Sequence, residues 1–183
     1  MRLIRRPWIW MARFRQRRGY GVHSPFAYAF LRGVVLERTP YYAYSHLALL
    51  HPWWVRWSRS YPMQCRRLLF RLANYAHPRT MAVYGNRPVE RDYLQAAVPS
   101  ARLTDGPADF IFVGHEVLAE WKLPEMPPSG MVVVEGIHHD NASRQAWQRL
   151  RSATQTIVTF DLYDYGILFF NPTLTPQHYI VNF

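Results

Sequence analysis

Two short apolar runs decide the fold class of this 183-residue chain: FIFV at positions 110–113 and MVVV at positions 131–134. The first run is followed at once by Gly114, and the second by Glu135 and a glycine. Continuous apolar runs of about four residues, bounded by turn residues, are typical of parallel strands that are buried on both faces of a sheet. We therefore predict that both runs are strands of one parallel sheet.

The flanking sequence alternates between helix-like and strand-like patterns. The further predicted helices cover residues 65–76, 89–98 and 142–150, and the further predicted strands cover residues 81–84, 156–160 and 166–170. The last two strands are close together in the sequence, so they should form an antiparallel hairpin. Strands that alternate with helices in this way predict an α/β fold with a mostly parallel sheet.

The beginning of the chain has a different pattern. We predict that residues 1–60 form a basic, aromatic-rich helical extension in front of an α/β domain at residues 61–183. Ser24 can cap a helix that begins at Pro25, because proline is tolerated in the first turn of a helix. Pro40 should end that helix.

Basic residues are concentrated in the first 80 positions, which hold 15 arginines and one acidic residue, a balance of +14. The remaining positions hold 7 basic and 11 acidic residues, so the whole chain carries +10. Seven of the arginines form a basic patch on an N-terminal arm with interleaved tryptophan and phenylalanine: Arg2, Arg5, Arg6, Arg13, Arg15, Arg17 and Arg18.

Three interpretations of this arm stay open. It could lie on an anionic membrane surface, with its tryptophans at headgroup depth. It could bind nucleic-acid phosphates while its aromatic rings stack on bases. It could also be a solvated arm whose aromatic residues cover the domain. We expect an acidic partner for the arginine-rich half: an anionic membrane surface, a nucleic acid or a protein. The 12 tyrosines and 7 tryptophans make a homo-oligomer a further hypothesis, because exposed aromatic patches favour self-association.

Two simple observations bear on the compartment. No apolar run reaches the roughly 18 residues that a membrane-spanning helix needs. Cys65 is the single cysteine, which excludes an intramolecular disulfide and favours a reducing compartment. We therefore expect a cytoplasmic protein, with peripheral membrane contact as a further option.

Both ends of the chain resemble one family. The stretch RGYGVHSPF at 18–26 resembles the HGVHSPF opening of a group of bacterial proteins related to the class I S-adenosylmethionine-dependent O-methyltransferases. The tail resembles the same group in TIVTFDL at 156–162, GILFF at 166–170 and HYIVNF at 178–183. The resemblance implies a Rossmann-like, mostly parallel sheet with a C-terminal antiparallel hairpin, here in a shortened form.

The resemblance also implies where a cofactor would bind. The family uses a glycine-rich loop after its first strand and an acid after its second. The matching candidate cofactor-binding residues are Gly85 and Asn86 in the loop, and Asp105 after residues 101–104. The loop has one glycine only, although Arg87 in it could attract a carboxylate. Asp105 lies in the strong turn sequence TDGP, and a turn is the interpretation that we favour.

Spacing argues against a complete cofactor pocket. Only residues 105–108 separate the segment 101–104 from the next predicted strand, and a parallel crossover needs about a dozen residues. Either the segment is not a parallel strand, or the sheet is rebuilt locally. The strand and helix that wall the adenine pocket in the family have no room in either case.

Polar and charged residues follow both central strands. Because ligands bind at the carboxyl ends of strands in open α/β sheets, the following side chains should converge: His115, Glu116, Glu135, His138, His139 and Asp140. Imidazole and carboxylate groups together could hold a divalent metal or carry out acid–base chemistry. The candidate catalytic residues are Glu135 and His138, and the candidate metal ligands are His115, Glu135 and His139. Metal-dependent relatives in the wider family have an aspartate where this chain has Gly114.

We favour a degenerate relative of the methyltransferases, an inactive protein that acts as a binding or structural module and holds no cofactor. One alternative is an active methyltransferase with an atypical pocket, which would use S-adenosylmethionine. The other is a basic protein that binds nucleic acid or a membrane surface.

Overall fold

The computed structural model of the chain describes residues 24–50 and 63–182. The basic patch of the arm and the predicted domain boundary near residue 60 lie outside these residues. The described helices are α1 (Pro25–Phe30), α2 (Tyr42–Leu50), α3 (Met63–Ala76), α4 (Pro88–Ala97) and α5 (Asn141–Arg151). The described strands are β1 (Thr80–Tyr84), β2 (Arg102–Thr104), β3 (Phe110–Val113), β4 (Met131–Glu135), β5 (Val158–Asp161), β6 (Tyr165–Phe169) and β7 (Gln177–Ile180).

These seven strands form one mixed sheet in the order β2-β1-β3-β4-β6-β5-β7. Four of the six neighbouring pairs are parallel, and β6 is antiparallel to both of its neighbours, β4 and β5. The predicted α/β class with a mostly parallel sheet is confirmed, and so is the antiparallel hairpin of β5 and β6. The edge strand β7 pairs in parallel with β5, and the sequence patterns did not predict a strand there.

Helices cover both faces of the sheet. In β3, Phe110 and Phe112 pack on the face that α1, α3 and α4 cover, whereas Ile111 and Val113 pack on the face that α5 covers. All four side chains are fully buried. Burial on both faces explains why β3 and β4 are continuous apolar runs and do not alternate with polar residues.

The predicted start of α1 is confirmed. Ser24 caps the helix, because its Oγ accepts a hydrogen bond from the backbone amide of Ala27 at 3.4 Å. A proline follows in the first turn, where its missing amide hydrogen costs no hydrogen bond. The sequence therefore contains the local information for the entry into this helix.

The predicted end of the same helix at Pro40 is wrong. α1 continues as a π-helix over Leu31–Val35 and ends there, five residues before the proline. Arg71 of α3 stabilises this earlier end, because its guanidinium donates hydrogen bonds to the carbonyl oxygens of Val34 and Val35 at 2.7 and 3.0 Å. A contact between distant segments thus sets the end of the helix, and the local sequence does not contain that information.

The sheet is rebuilt locally at β2, which settles the alternatives for residues 101–104. β2 is parallel to β1 and pairs only with the first three residues of that strand. β3 lies on the other side of β1, and the chain reaches it through residues 105–109 without a helix. So short a link is sufficient because it passes the amino end of β1 and spans only two strand spacings, about 10 Å.

Asp109 stabilises this link at the amino end of β1. Its Oδ2 accepts hydrogen bonds from the backbone amides of Arg79 and Thr80 at 3.0 and 3.3 Å. Its own amide donates to the Thr80 hydroxyl at 3.1 Å. Three hydrogen bonds therefore join the link to the start of β1, in place of the longer crossover that parallel strands usually have.

The described part of the N-terminal extension packs onto the α/β domain. Phe30 and Leu31 belong to the same buried core as Phe112 of the sheet. α2 contributes Tyr44 and Leu47 to a smaller buried cluster with α3 and α4. Among the described helices, none is both long enough and apolar enough to cross a bilayer.

Candidate functional site

The carboxyl ends of β1, β3 and β4 lie side by side at one edge of the sheet, because the three strands are parallel neighbours. The loops after β1 and β3 and the last residue of β4 bring four side chains together: Arg87, His115, Glu116 and Glu135. We call these four residues the Arg87 network. The predicted convergence of charged residues at this edge therefore holds for three of the six residues named for it.

One nitrogen of Arg87 is the centre of the network. Its Nη2 lies 2.6 Å from Oε2 of Glu135, 2.5 Å from Oε2 of Glu116 and 2.8 Å from Nδ1 of His115. This nitrogen carries two hydrogens, so at most two of the three close contacts can be hydrogen bonds at the same time.

Glu135 is the buried member of the network. Burial raises the pKa of its carboxyl group, and the nearby Arg87 guanidinium and the His115 ring partly oppose that rise. Its carboxylate also lies 3.5 Å from the backbone amide of His115. An ionised carboxylate at this depth needs an opposite charge, and Arg87 supplies it.

Two glycines make room for the network. Gly85 has φ +102°, and a Cβ there would collide with Oε1 of Glu116. A Cβ on Gly114 would lie 2.7 Å from Oε2 of Glu116 and 2.9 Å from Nε of Arg87. Both glycines sit directly after strands and allow a close approach. The groups that approach them are the protein's own side chains.

Asn86 provides the second contact of Glu116. Its backbone amide donates a hydrogen bond to Oε1 of Glu116 at 3.1 Å. The loop amide that the resemblance implied for a cofactor is thus engaged by an internal carboxylate. Arg87, which was expected to attract a carboxylate, contacts two carboxylates of the same chain.

The network also contains the ligand types of a metal site. Ligand atoms of His115, Glu116 and Glu135 lie within 4.8 Å of one another, and no other such group of three occurs in the described residues. His139, the third predicted ligand, is not part of this group: its ring lies 4.7 Å from the ring of His115, and its Nδ1 contacts Asp140 at 3.0 Å. A divalent cation would have to displace the Arg87 guanidinium to reach the three ligands.

His138 belongs to a second cluster at the same edge. Its Nε2 lies 2.7 Å from Oδ2 of the buried Asp161, which ends β5. Its ring stacks on Tyr163, with 5.3 Å between the ring centroids. The other oxygen of Asp161 accepts a hydrogen bond from the backbone amide of Tyr163, whose φ is +73°. Sequence reasoning missed Asp161, although an acid directly after an apolar strand is a signal that could have found it.

The two remaining acids stand apart from the network. Asp140 caps α5, since its Oδ1 accepts a hydrogen bond from the amide of Ser143 at 2.7 Å, and this bond lowers the pKa of Asp140. The side chain of Asp105 is 98% exposed and lies 3.6 Å from Arg91. In the TDGP turn it is Thr104, through its hydroxyl, that accepts the local hydrogen bond from the Gly106 amide.

A comparison of the chain with protein-family models found no match, and a comparison with curated proteins found no match either. The fold and the site together define the class: an α/β protein with a mostly parallel sheet, whose carboxyl edge is occupied by an internal ion-pair network.

Proposed function

We propose that this chain is a degenerate, Rossmann-like relative of the class I S-adenosylmethionine-dependent methyltransferases that acts as a binding or structural module. The observation that carries the proposal is the Arg87 network, which fills the carboxyl edge of β1, β3 and β4. In the resembling family this edge holds the cofactor. In this chain, ion-paired side chains of the protein itself lie at that edge.

The order of the strands supports the ancestry. The antiparallel strand β6 is inserted between β4 and β5, so the sheet closes with the hairpin that the resembling family has. The loop after β1 still has a glycine at its first position and is followed by α4, as a cofactor-binding loop would be. Active and inactive relatives would share these features. They therefore support the proposed fold, and the activity has to be inferred from the site.

Three features of the site support a loss of activity. Glu116 accepts the hydrogen bond of the Asn86 amide, which a cofactor carboxylate would otherwise accept. Glycines at 85 and 114 accommodate internal side chains. The link at 105–109 replaces the strand and helix that wall the adenine pocket in the family. We infer that no cofactor is held.

The proposed partner is acidic, because the charge of the chain is so unevenly divided. The described residues before β1 add exposed arginines to those of the arm, among them Arg32, Arg38 and Arg67. An anionic membrane surface, a nucleic acid or an acidic protein would each match this charge. We place the protein in the cytoplasm, since it has one cysteine and no disulfide to form.

Calorimetric titration of the full chain with S-adenosylmethionine and S-adenosylhomocysteine tests the central proposal. We expect no saturable binding of either compound by protein that circular dichroism shows to be folded. An active class I methyltransferase, titrated under the same conditions, is the positive control. Micromolar affinity of the chain for either compound would contradict the proposal.

An active enzyme with an atypical pocket is the second candidate, and the raised pKa of Glu135 favours it. A raised pKa makes the Glu135 carboxylate a stronger base than an exposed glutamate, which suits proton abstraction from a substrate. If this candidate is correct, S-adenosylmethionine should bind, and Asp105→Ala should weaken the binding because the resemblance assigns that acid to the ribose. Glu125→Ala, which removes an exposed acid in another loop, is the matched control.

A further inference from the structure

A cavity of about 660 Å³ lies in the helical part of the protein, away from the Arg87 network. It lies between the segment that joins α1 to α2, the helix α2 and the first half of α3, and Asn182 lies at its border. We call it the Arg71 cavity. Its volume is in the range of small-molecule binding sites.

The lining of the Arg71 cavity has an excess of positive charge. Arg38, Arg67 and Arg71 line it, against one acid, Glu37. The Glu37 carboxylate accepts a hydrogen bond from the hydroxyl of Tyr41 at 3.0 Å and forms no salt bridge with these arginines. No carboxylate of the described residues is within salt-bridge distance of any of the three guanidinium groups. Residues 1–23, 51–62 and 183, which lie outside the described part, contain no aspartate or glutamate side chain.

Arg71 is a buried, pre-oriented cation. Only 6% of its surface is exposed, and its Nε and Nη2 donate to the carbonyl oxygens of Val34 and Val35. Carbonyl dipoles satisfy these donors but do not neutralise the charge. A buried guanidinium with no carboxylate partner among residues 24–50 and 63–182 is costly, and an anion in the cavity would reduce that cost.

Tyr44 fixes the second arginine of the cavity. The guanidinium of Arg67 lies 5.1 Å from the centroid of the Tyr44 ring, within cation–π distance. The Tyr44 hydroxyl donates to the carbonyl oxygen of Arg67 at 3.3 Å. Burial raises the pKa of Tyr44, so its hydroxyl stays protonated and adds no negative charge to the cavity.

The π-helix forms one border of the cavity. Val35, its last residue, lines the cavity, and the carbonyl oxygens at its end hold Arg71. Single π-helical turns occur frequently at functional sites because they reorient groups that a regular helix would keep aligned. This turn orients two successive carbonyl oxygens towards one guanidinium.

We propose that the Arg71 cavity binds a small organic anion, with a carboxylate or phosphate group at the arginines and an apolar or aromatic body against Tyr41, Tyr44 and Pro40. Arginine suits such groups because its planar fork donates two hydrogen bonds at once. The site goes beyond the proposed function, because it needs neither a methyltransferase ancestry nor the arm.

Binding of phenyl phosphate and benzoate by the full chain, measured by calorimetry and by NMR, tests the proposal. Benzyl alcohol and benzylamine, neutral and cationic compounds of similar shape, are the matched ligand controls. We expect saturable binding of at least one anion, weaker binding at high salt, and no binding of the two controls. Inorganic phosphate has the anionic group without the aromatic body. It should bind more weakly than phenyl phosphate if the tyrosines contact the aromatic body.

Variants locate the site. Arg38→Gln and Arg67→Gln remove exposed arginines and should each weaken anion binding roughly tenfold, the usual effect of losing one charge-assisted hydrogen bond. Arg151→Gln, an exposed arginine at the end of α5, should leave it unchanged. Arg71→Lys keeps the charge but loses the fork, so a folded variant should bind more weakly. The proposal is wrong if neither anion binds at millimolar concentrations, if benzylamine binds equally well, or if the Arg38 and Arg67 variants bind like Arg151→Gln.

Discussion

The Arg87 network and the Arg71 cavity surround arginine in opposite ways. In the network, two carboxylates and an imidazole contact one guanidinium at the carboxyl ends of β1, β3 and β4. In the cavity, three arginines border an open space of about 660 Å³, and one of them is held by backbone carbonyl oxygens. The first arrangement neutralises its charge within the chain, and the second leaves it for another molecule.

The two regions differ in which of them has open volume for a ligand. The carboxyl edge of a parallel sheet is where ligands bind in open α/β folds, and here an internal ion-pair network lies at that edge. The open volume lies beside the helical segment that precedes the sheet. Stability effects should therefore dominate at the edge, whereas ligand effects should dominate at the cavity.

The largest effect is expected for Arg87→Ala. Removing the guanidinium leaves the buried Glu135 and its neighbour Glu116 without their shared cation, so we expect a loss of about 3 kcal/mol in the free energy of unfolding. Arg91→Ala, in the helix α4 that follows Arg87, is the control: Arg91 lies 3.6 Å from the exposed Asp105 and donates a long hydrogen bond to the carbonyl oxygen of Val83 at 3.4 Å, and exposed contacts of this kind contribute about 0–1 kcal/mol. Urea unfolding measures both values. Equal stabilities of the two variants would mean that the network does not stabilise the fold.

Gly114→Ala should have the next largest effect. The added Cβ would lie within 3 Å of both Glu116 and Arg87, so the ion pair must shift, and overpacking of this kind costs about 1–2 kcal/mol. Gly33→Ala is the control, because a Cβ at that helical glycine meets nothing within 4 Å and the change should be neutral or stabilising. If Gly114→Ala is as stable as the natural protein, the close packing at this edge is not required. The comparison needs only thermal or urea unfolding.

Glu135 gives the edge a pH dependence of defined sign. Its folded-state pKa is raised above the value of about 4.3 expected in the unfolded chain, so the folded state holds the proton more tightly. Its contribution to stability is therefore fully present below the unfolded pKa and is lost as the pH rises through the folded pKa, by at most about 1.4 kcal/mol per pH unit. The natural protein should lose stability relative to Glu135→Gln across that window. Urea unfolding at a series of pH values measures this difference in the free energy of unfolding. A difference that does not change with pH would contradict the prediction.

The elements of the sheet were predictable because their signals are local. The runs in β3 and β4 are apolar throughout because helices cover both faces of the sheet. Such a run can be recognised in the sequence without knowing which segments pack against it. The cap at Ser24 is equally local. The edge strand β7 was not predicted: one of its four residues is buried, so it lacks a continuous apolar run.

The pairing of charged side chains was much less predictable. Parallel strands bring their carboxyl ends together, so the convergence of His115 and Glu135 followed from the topology. Which acid reaches which base depends on loop geometry, however, and His138 reaches Asp161 and not Glu135. The role of Arg87 was not predictable for the same reason, because its carboxylate partners come from the loop after β3 and from the end of β4. Pairing of this kind is a property of the tertiary structure.

The smallest effect on stability is expected for Arg38→Gln, which makes the comparison between the two regions sharpest. Arg38 is exposed, lies at the Arg71 cavity and pairs with no described carboxylate, so its charge is opposed only by water and repelled by Arg67 and Arg71. Its removal should change the free energy of unfolding by less than about 0.5 kcal/mol at low salt, and any change should be a gain. A loss as large as that of Arg87→Ala would mean that this arginine, too, is held by an internal partner, and the Arg71 cavity would then be closed like the edge. If the stability is unchanged while anion affinity falls, the two regions differ as their contacts indicate: one arginine maintains the fold, and the other is free to bind.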